Sequence, residues 1–487
     1  MQVGNVSQGA RQYAGAAIDR QPLTAFHWKL LGVAGIGWMF DAMDVGLITF
    51  VLPVLGAQWK LAPDLRGLIL SAGFLGMFVG AAVAGMLADR LGRKVVFQST
   101  LAIFAVATGL SALIPAPVLP AGVPANGVDL AHLAQYGSLA TSVWMLLGLR
   151  FLVGLGLGGE LPVASTLVSE WAPAGQRGRM MVLLESFWAY GWILAAGIAL
   201  VLLPATPPSW HIDGWRIAFA LGALPALYTL SLRRSLPESP RYLESRGQMT
   251  AARVALQEAG LHRGLDTTVP PPLAGRRVAS GGLGLLWRGT FARRTAMLWV
   301  LWFGMVFSYY GIFSWLPTLM TQHSSLVRGF QYTFIITLAQ VPGYFSAAWL
   351  VERWGRKPTL VTYLVGSATG ALLYGYALVN PSVTDTWLVF AGCVVSFFNL
   401  GAWGVVYTYT PEQYPTAVRG SGSGWAAAVG RLGGIFGPYV PGLWLGAGLG
   451  QEGLFAVFTA VFLIIAAAVF ALGTETRGQR LEEITNE

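Results

Sequence analysis

An apolar run from Leu30 to Leu55 is the first of twelve, and their succession constrains this chain more than any other feature. The others cover about 65–87, 95–114, 142–166, 180–203, 215–232, 296–319, 330–350, 359–379, 386–410, 421–443 and 454–472. Each approaches the roughly 20 residues that a helix needs to cross a bilayer. Hydrocarbon offers no partners to backbone N–H and C=O groups, so such segments close their hydrogen bonds internally, as helices. Composition agrees: charged residues make up only 11% of the 487, against about 25% in soluble domains. The expected fold is an all-α membrane protein with twelve transmembrane helices.

Charge gives the runs a direction. The net charge of +9 is no nucleic-acid signal, because the basic residues sit in short polar gaps between apolar runs. Of the 31 Lys and Arg, 25 fall in the N-terminal tail, the even-to-odd gaps and the C-terminal tail. Lys60, Arg66, Arg216 and Arg328 fall on the opposite side, and Arg150 and Arg431 within runs. Positive residues mark the cytoplasmic side, which places both termini there. The expected organisation is a tail (1–29), a six-helix bundle (30–232), a linker with short helices (233–294), a second six-helix bundle (295–473) and a tail (474–487). The lone Cys393 excludes a disulfide framework, and the five histidines show no metal spacing. No metal, cofactor or enzymatic chemistry is expected, nor is there a pore-filter string or a ligand-binding ectodomain.

The halves echo one another. DRLGRK at 89–94 returns as ERWGRK at 352–357, and Glu170 with Arg177 returns as Glu412 with Arg419. Each copy falls in a gap on the side of the termini. A parallel repeat of this kind suits alternating access around a central site. Asp89, Arg90, Arg93, Glu170, Arg177, Glu352, Arg353, Arg356, Glu412 and Arg419 are the expected gate residues, able to bridge neighbouring helix ends. The alternative is that the basic residues of these gaps only set topology. Glu185, about a turn and a half into the fifth run, is expected to join the gate.

Ionisable groups within the runs mark function, because each costs several kcal/mol at membrane depth, as an order of magnitude. Asp41 and Asp44 lie in GWMFDAMDVGLITF (37–50), Arg150 in the fourth run and Glu160 in GLGLGGELP (154–162). At 1.5 Å per residue, Asp44 and Arg150 fall at similar depth in the outer half. An Asp44–Arg150 pair is therefore expected, either as a proton-coupling device or as a permanent structural ion pair. Asp41, a turn deeper, is placed to share the proton or bind substrate. Glu160 reads equally as central or as solvated near the inner surface. Tyr309, Tyr310 and Trp315 in the seventh run, with Asn399 and Trp403 in the tenth, offer a pocket with aromatic walls. With Arg150 facing inward, that pocket suits a flat organic acid, and the residues alone do not separate such an acid from a sugar.

GMLADRLGRK (85–94) and RFLVGLGLGGE (150–160) resemble loop and span signatures of the major facilitator superfamily. PESPRYL (237–243) and PEQYPTAVRG (411–420) are similar to motifs shared by sugar porters, organic ion transporters and synaptic vesicle glycoprotein 2. GWMFDAMDVGLITF most resembles bacterial niacin permeases, neighbours of the aromatic-acid:proton symporters. This resemblance implies a monomeric carrier in the bacterial inner membrane that imports nicotinate with protons. Benzoate-like acids or other small organic ions are the alternative, and a sugar comes third. Asp44, Asp41 and Arg150 inherit proton coupling, and Arg150 also anion binding.

Overall fold

A computed structural model describes residues 18, 21–91, 93–119, 122–124, 126–173, 176–204, 212–225, 238–245, 248–261, 283–414 and 419–477. The protein is an all-α, multi-pass membrane protein. Among the described residues, nine helices are long and apolar enough to cross a membrane.

The first group of helices is α1 (Ala25–Gln58), α2 (Pro63–Leu91), α3 (Arg93–Ser111), α4 (Gly137–Trp171), α5 (Arg177–Leu202) and α6 (Gly214–Leu221). Short helices α7 (Pro240–Ser245), α8 (Met249–Glu258) and α9 (Leu283–Leu286) follow. The second group is α10 (Thr290–Phe313), α11 (Leu316–His323), α12 (Leu326–Leu338), α13 (Gln340–Trp354), α14 (Arg356–Val379), α15 (Asp385–Glu412), α16 (Arg419–Gly446) and α17 (Gln451–Leu472). Two of the expected spans are broken. The seventh divides into α10 and α11 at Ser314–Trp315, just before Pro317, whose ring cannot continue a helix from the preceding turn. The eighth divides into α12 and α13 at Ala339. Of the sixth span, residues 226–232 lie outside the described residues, as do the tails at 1–17 and 478–487 and linker residues 262–282.

Within the first group, α2 packs on α4 and α1 on α5; within the second, α10 packs on α16 and α14 on both α15 and α17. Between apolar helices in an apolar solvent, close packing replaces the hydrophobic effect as the cohesive force. The α2–α4 contact shows how. A Cβ at Gly76 would overlap the Phe151 carbonyl, and one at Gly154 the Gly73 carbonyl. These glycines let the two backbones touch.

The groups meet along α2–α16 and α5–α12. At the end away from the chain termini, α2 and α16 approach backbone to backbone: a Cβ on Gly67 would lie 3.0 Å from the Pro438 carbonyl. Ser71 Oγ adds a 2.7 Å hydrogen bond to the Ile435 carbonyl. That end of the join is closed. At the other end His27 ties α1 to α4. Its Nδ1 accepts from the Thr24 backbone at 3.0 Å, which leaves Nε2–H to donate to the Trp171 carbonyl at 3.1 Å.

Candidate functional site

Asp44 and Arg150 meet. Arg150 Nη1 donates to Asp44 Oδ2 at 3.1 Å, with the two side chains 3% and 1% exposed. The Thr108 hydroxyl donates to Asp44 Oδ1, and Arg150 Nη2 reaches Thr108 Oγ1 at 3.4 Å. The guanidinium lies 5.3 Å from the centre of the Phe219 ring. Thus α1, α3, α4 and α6 enclose one ion pair. An ion pair this deep holds its charges only while each has partners, so its integrity depends on both members being charged. Against it lies a cavity of about 20 Å³ whose lining includes Ser314, a hydroxyl with no hydrogen-bond partner among the described residues. That space suits a single water. It is much too small for an organic substrate. Ser314 directly follows α10, so the second helix group contributes to the cavity beside the ion pair at the break in the seventh span.

Asp41, one turn earlier, is fully buried. It lies within electrostatic range of the Tyr310 hydroxyl on α10.

The expected aromatic residues divide into struts and walls. Tyr309 is buried, and its hydroxyl accepts from the Trp188 indole at 2.8 Å, joining α10 to α5. Trp315 donates its indole N–H to the Pro438 carbonyl at 2.8 Å and so braces the closed end of the join. Tyr310 keeps accessible surface and packs 4.2 Å from the Phe74 ring. Trp403 lies 5.7 Å from Trp302 and 5.6 Å from Tyr407, and its indole N–H has no partner among the described residues. Asn399 is fully buried with neither amide atom hydrogen-bonded to any described residue, and Gln340 on α13 is in the same condition. Native interiors rarely leave such groups unsatisfied.

Glu185, expected at the gate, is a buried residue of α5. It is 2% exposed and lies beside the Trp38 indole, within range of Tyr310, Tyr344 and Tyr407. Counted along its own helix it is near the end; in the fold it is buried beside an indole of α1, on which α5 packs.

The loop constellation is described in its second copy. Arg356 makes a two-pronged contact with Glu412, Nε to Oε2 at 3.1 Å and Nη2 to Oε1 at 3.3 Å. Glu352, on the last turn of α13, stands 3.6 Å from Arg356 and is mostly exposed. Arg353 stacks on Trp349 at 4.1 Å. Gly355, at φ 106°, takes the left-handed turn that separates α13 from α14 and favours glycine. Glu475, beyond α17, was not among the expected residues. Its carboxylate accepts the backbone N–H groups of Arg356 and Lys357, both at 2.9 Å, capping α14. Thr476 adds a bond to Glu412 at 2.5 Å. In the first copy Glu170 is described at the end of α4; the side chains of Asp89, Arg90, Arg93 and Arg177, with those of Glu160 and Arg419, lie outside the described residues.

Thr108, Arg431 and Glu475 are the residues that sequence reasoning did not select for the site. Nothing marks Thr108 among the hydroxyl residues of apolar runs. Arg431 stood out only as a charge partway into a span.

Helices packed in two groups around buried charges, with a closed end and a broken span at their join, define a membrane transporter rather than an enzyme. The sequence profile of the "Sugar (and other) transporter" family matches residues 34–487, and the chain belongs to that family, within the major facilitator superfamily. It is similar to the niacin transporter NiaP of Acinetobacter baylyi, at 46% identity over 96% of this chain and 98% of that one. A Bacillus subtilis NiaP is 44% identical over 93% of this chain and 98% of its own length. The major facilitator fold is shared with the xylose transporter XylE from E. coli in a partially occluded, inward-open form. The TM-score is 0.73, at 20% identity, over 94% of this chain and all of that one.

Proposed function

We propose that this protein imports nicotinate, or a close pyridine carboxylate, together with protons by alternating access. The observation that carries the reading is the enclosed Asp44–Arg150 pair, in a chain 46% identical to a niacin transporter. In this reading, twelve helices form two six-helix bundles, 30–232 and 295–473, joined by the linker 233–294. Both termini lie in the cytoplasm of a bacterial inner membrane, and the closed end of the join faces outward.

Asp44 is the coupling group. While it is ionised, Arg150 is held and the pair sits quietly in low dielectric. A proton reaching Asp44 removes the counter-charge, and Arg150 must find another anion. A carboxylate substrate is such an anion. Proton and substrate thereby favour the same state, which couples them. Asp41 sits where it can sense substrate against Tyr310. Substrate contact falls to Tyr310, Asn399 and Trp403, with Tyr309 and Trp315 holding the wall in place. The Glu352–Arg356–Glu412 cluster, with Arg353 and the first-copy group Asp89, Arg90, Arg93, Glu170, Arg177 and its counterpart Arg419, holds the cytoplasmic helix ends together and lets them part.

The test is uptake of labelled nicotinate by proteoliposomes of the purified full chain with an alkaline lumen, against protein-free vesicles. Saturable accumulation that nicotinate inhibits better than benzoate or hexoses supports the reading. Preference for benzoate or a hexose overturns the substrate, and accumulation indifferent to the pH gradient overturns the coupling.

A further inference from the structure

The Asp44–Arg150 pair is built within the first helix group, from α1 and α4 with Thr108 of α3. Alternating access moves the two helix groups against each other. A pair that touched only its own group would be indifferent to that motion, and its protonation could not bias it. The cavity beside the pair supplies a contact with the other group. Among the described residues its wall is drawn from α1, α2 and α4, and Ser314 is the one residue contributed by the second group. Apolar side chains form most of that wall, and its polar members are Asp44, Thr49, Arg150 and Ser314. The Thr49 hydroxyl donates to the Val45 carbonyl at 2.8 Å. Ser314 is 1% exposed, and its Oγ has no hydrogen-bond partner among the described residues. Arg150 Nε is likewise buried and without a partner among them.

Buried polar atoms in this condition are completed by ordered water where there is room for it and two or more polar partners are at hand. A cavity of about 20 Å³ has room for one water. We infer that a water in this cavity bridges the Asp44–Arg150 pair to Ser314, and that Ser314 is the positioning residue through which the charge state of the pair reaches the second helix group. The inference rests on the coupling role given to Asp44 above and deepens it. One water donates twice and accepts twice, so it can serve the Asp44 carboxylate, the Arg150 guanidinium and the Ser314 hydroxyl together. While Asp44 is ionised, the bridge ends on a full charge and holds the break in the seventh span against the pair. Hydrogen bonds to an ionised acceptor are roughly twice as strong as neutral ones. A proton on Asp44 removes that acceptor, the hold on Ser314 weakens, and the helix groups part more readily there.

The experiment uses proteoliposomes of the purified full-length protein with the lumen one pH unit more alkaline than the medium. It measures accumulation of labelled nicotinate and, in the same preparation at equal pH, exchange of labelled for unlabelled nicotinate, so that a general loss of folded carrier shows in both. Ser314→Ala removes the hydroxyl and is expected to lower accumulation by about threefold or more beyond any fall in exchange. Gly73 also lines the cavity, and a Cβ there would meet only the Arg150 carbonyl, at 3.7 Å, so the fold accommodates Gly73→Ala. Its methyl group takes room that the water needs, and the same selective loss is expected with Ser314 intact. Wild-type accumulation in either variant overturns the inference, and so does an equal fall of accumulation and exchange in Ser314→Ala, which marks a merely structural role. A wild-type protein that accumulates no nicotinate under the pH gradient overturns instead the coupling reading on which the inference stands.

Discussion

Replacing Asp44 by Asn tests the coupling step most directly. Asn keeps the shape of the side chain and an oxygen for Thr108 or Arg150, but it neither binds nor releases a proton. One carboxylate cycling between its paired and protonated forms moves one proton per cycle. Across one pH unit that proton carries about 1.4 kcal/mol, or about tenfold accumulation of a co-transported monoanion. One proton with one monoanion moves no net charge, so an imposed membrane potential should not change the ratio. In proteoliposomes with the lumen one pH unit more alkaline, the wild type should approach about tenfold accumulation, while Asp44→Asn should stay at unity. Exchange of labelled for unlabelled nicotinate at equal pH needs no net proton and should persist in the variant. The substitution also strips Arg150 of its counter-charge, at a site where both side chains are 3% exposed or less. Breaking a buried pair on one side costs about 3–5 kcal/mol, and the oxygen that Asn retains should hold the cost to the low end. A lowered melting temperature with exchange intact is the expected combination. Full gradient-driven accumulation by Asp44→Asn would refute the assignment and move the proton elsewhere, with Asp41→Asn the next variant to measure.

Arg150→Ala should abolish nicotinate uptake, since it removes the guanidinium and leaves Asp44 buried with Thr108 alone as donor among the described residues; intact uptake would remove Arg150 from the mechanism. Gly154→Leu should cut the yield of folded protein sharply, because even a Cβ overlaps the Gly73 carbonyl, and overpacking costs about 1–3 kcal/mol or more; size-exclusion chromatography of the solubilised variant reads it. Glu475→Ala should lower stability by about 0.5–2 kcal/mol, the usual cost of losing a helix N-cap; a melting curve identical to wild type would mean that the tail does not secure α14. Glu412→Gln should loosen the two-pronged Arg356 contact and change the rate of transport more than the affinity for substrate, since the cluster lies at a helix end far from the aromatic wall; an affinity change without a rate change would argue against a gate.

The position of a residue along a membrane helix is readable from sequence, because a helix rises 1.5 Å per residue and the bilayer limits its length. This is why the membrane class, the repeat between halves and the matching depths of Asp44 and Arg150 are legible in the order of the residues alone. Rotation about the helix axis is not readable in the same way. Lipid and protein interior are both apolar, so the helices carry little pattern to show which face looks where. Only the packing decided that Arg150 and Thr108 both close on Asp44. It also buried Glu185 beside Trp38 and made Trp315 a brace. Contacts between segments distant in the chain were likewise hidden, as with Glu475 capping α14 from beyond α17. The sequence determined which charges the membrane would have to hold, and the tertiary structure decided which partners hold them.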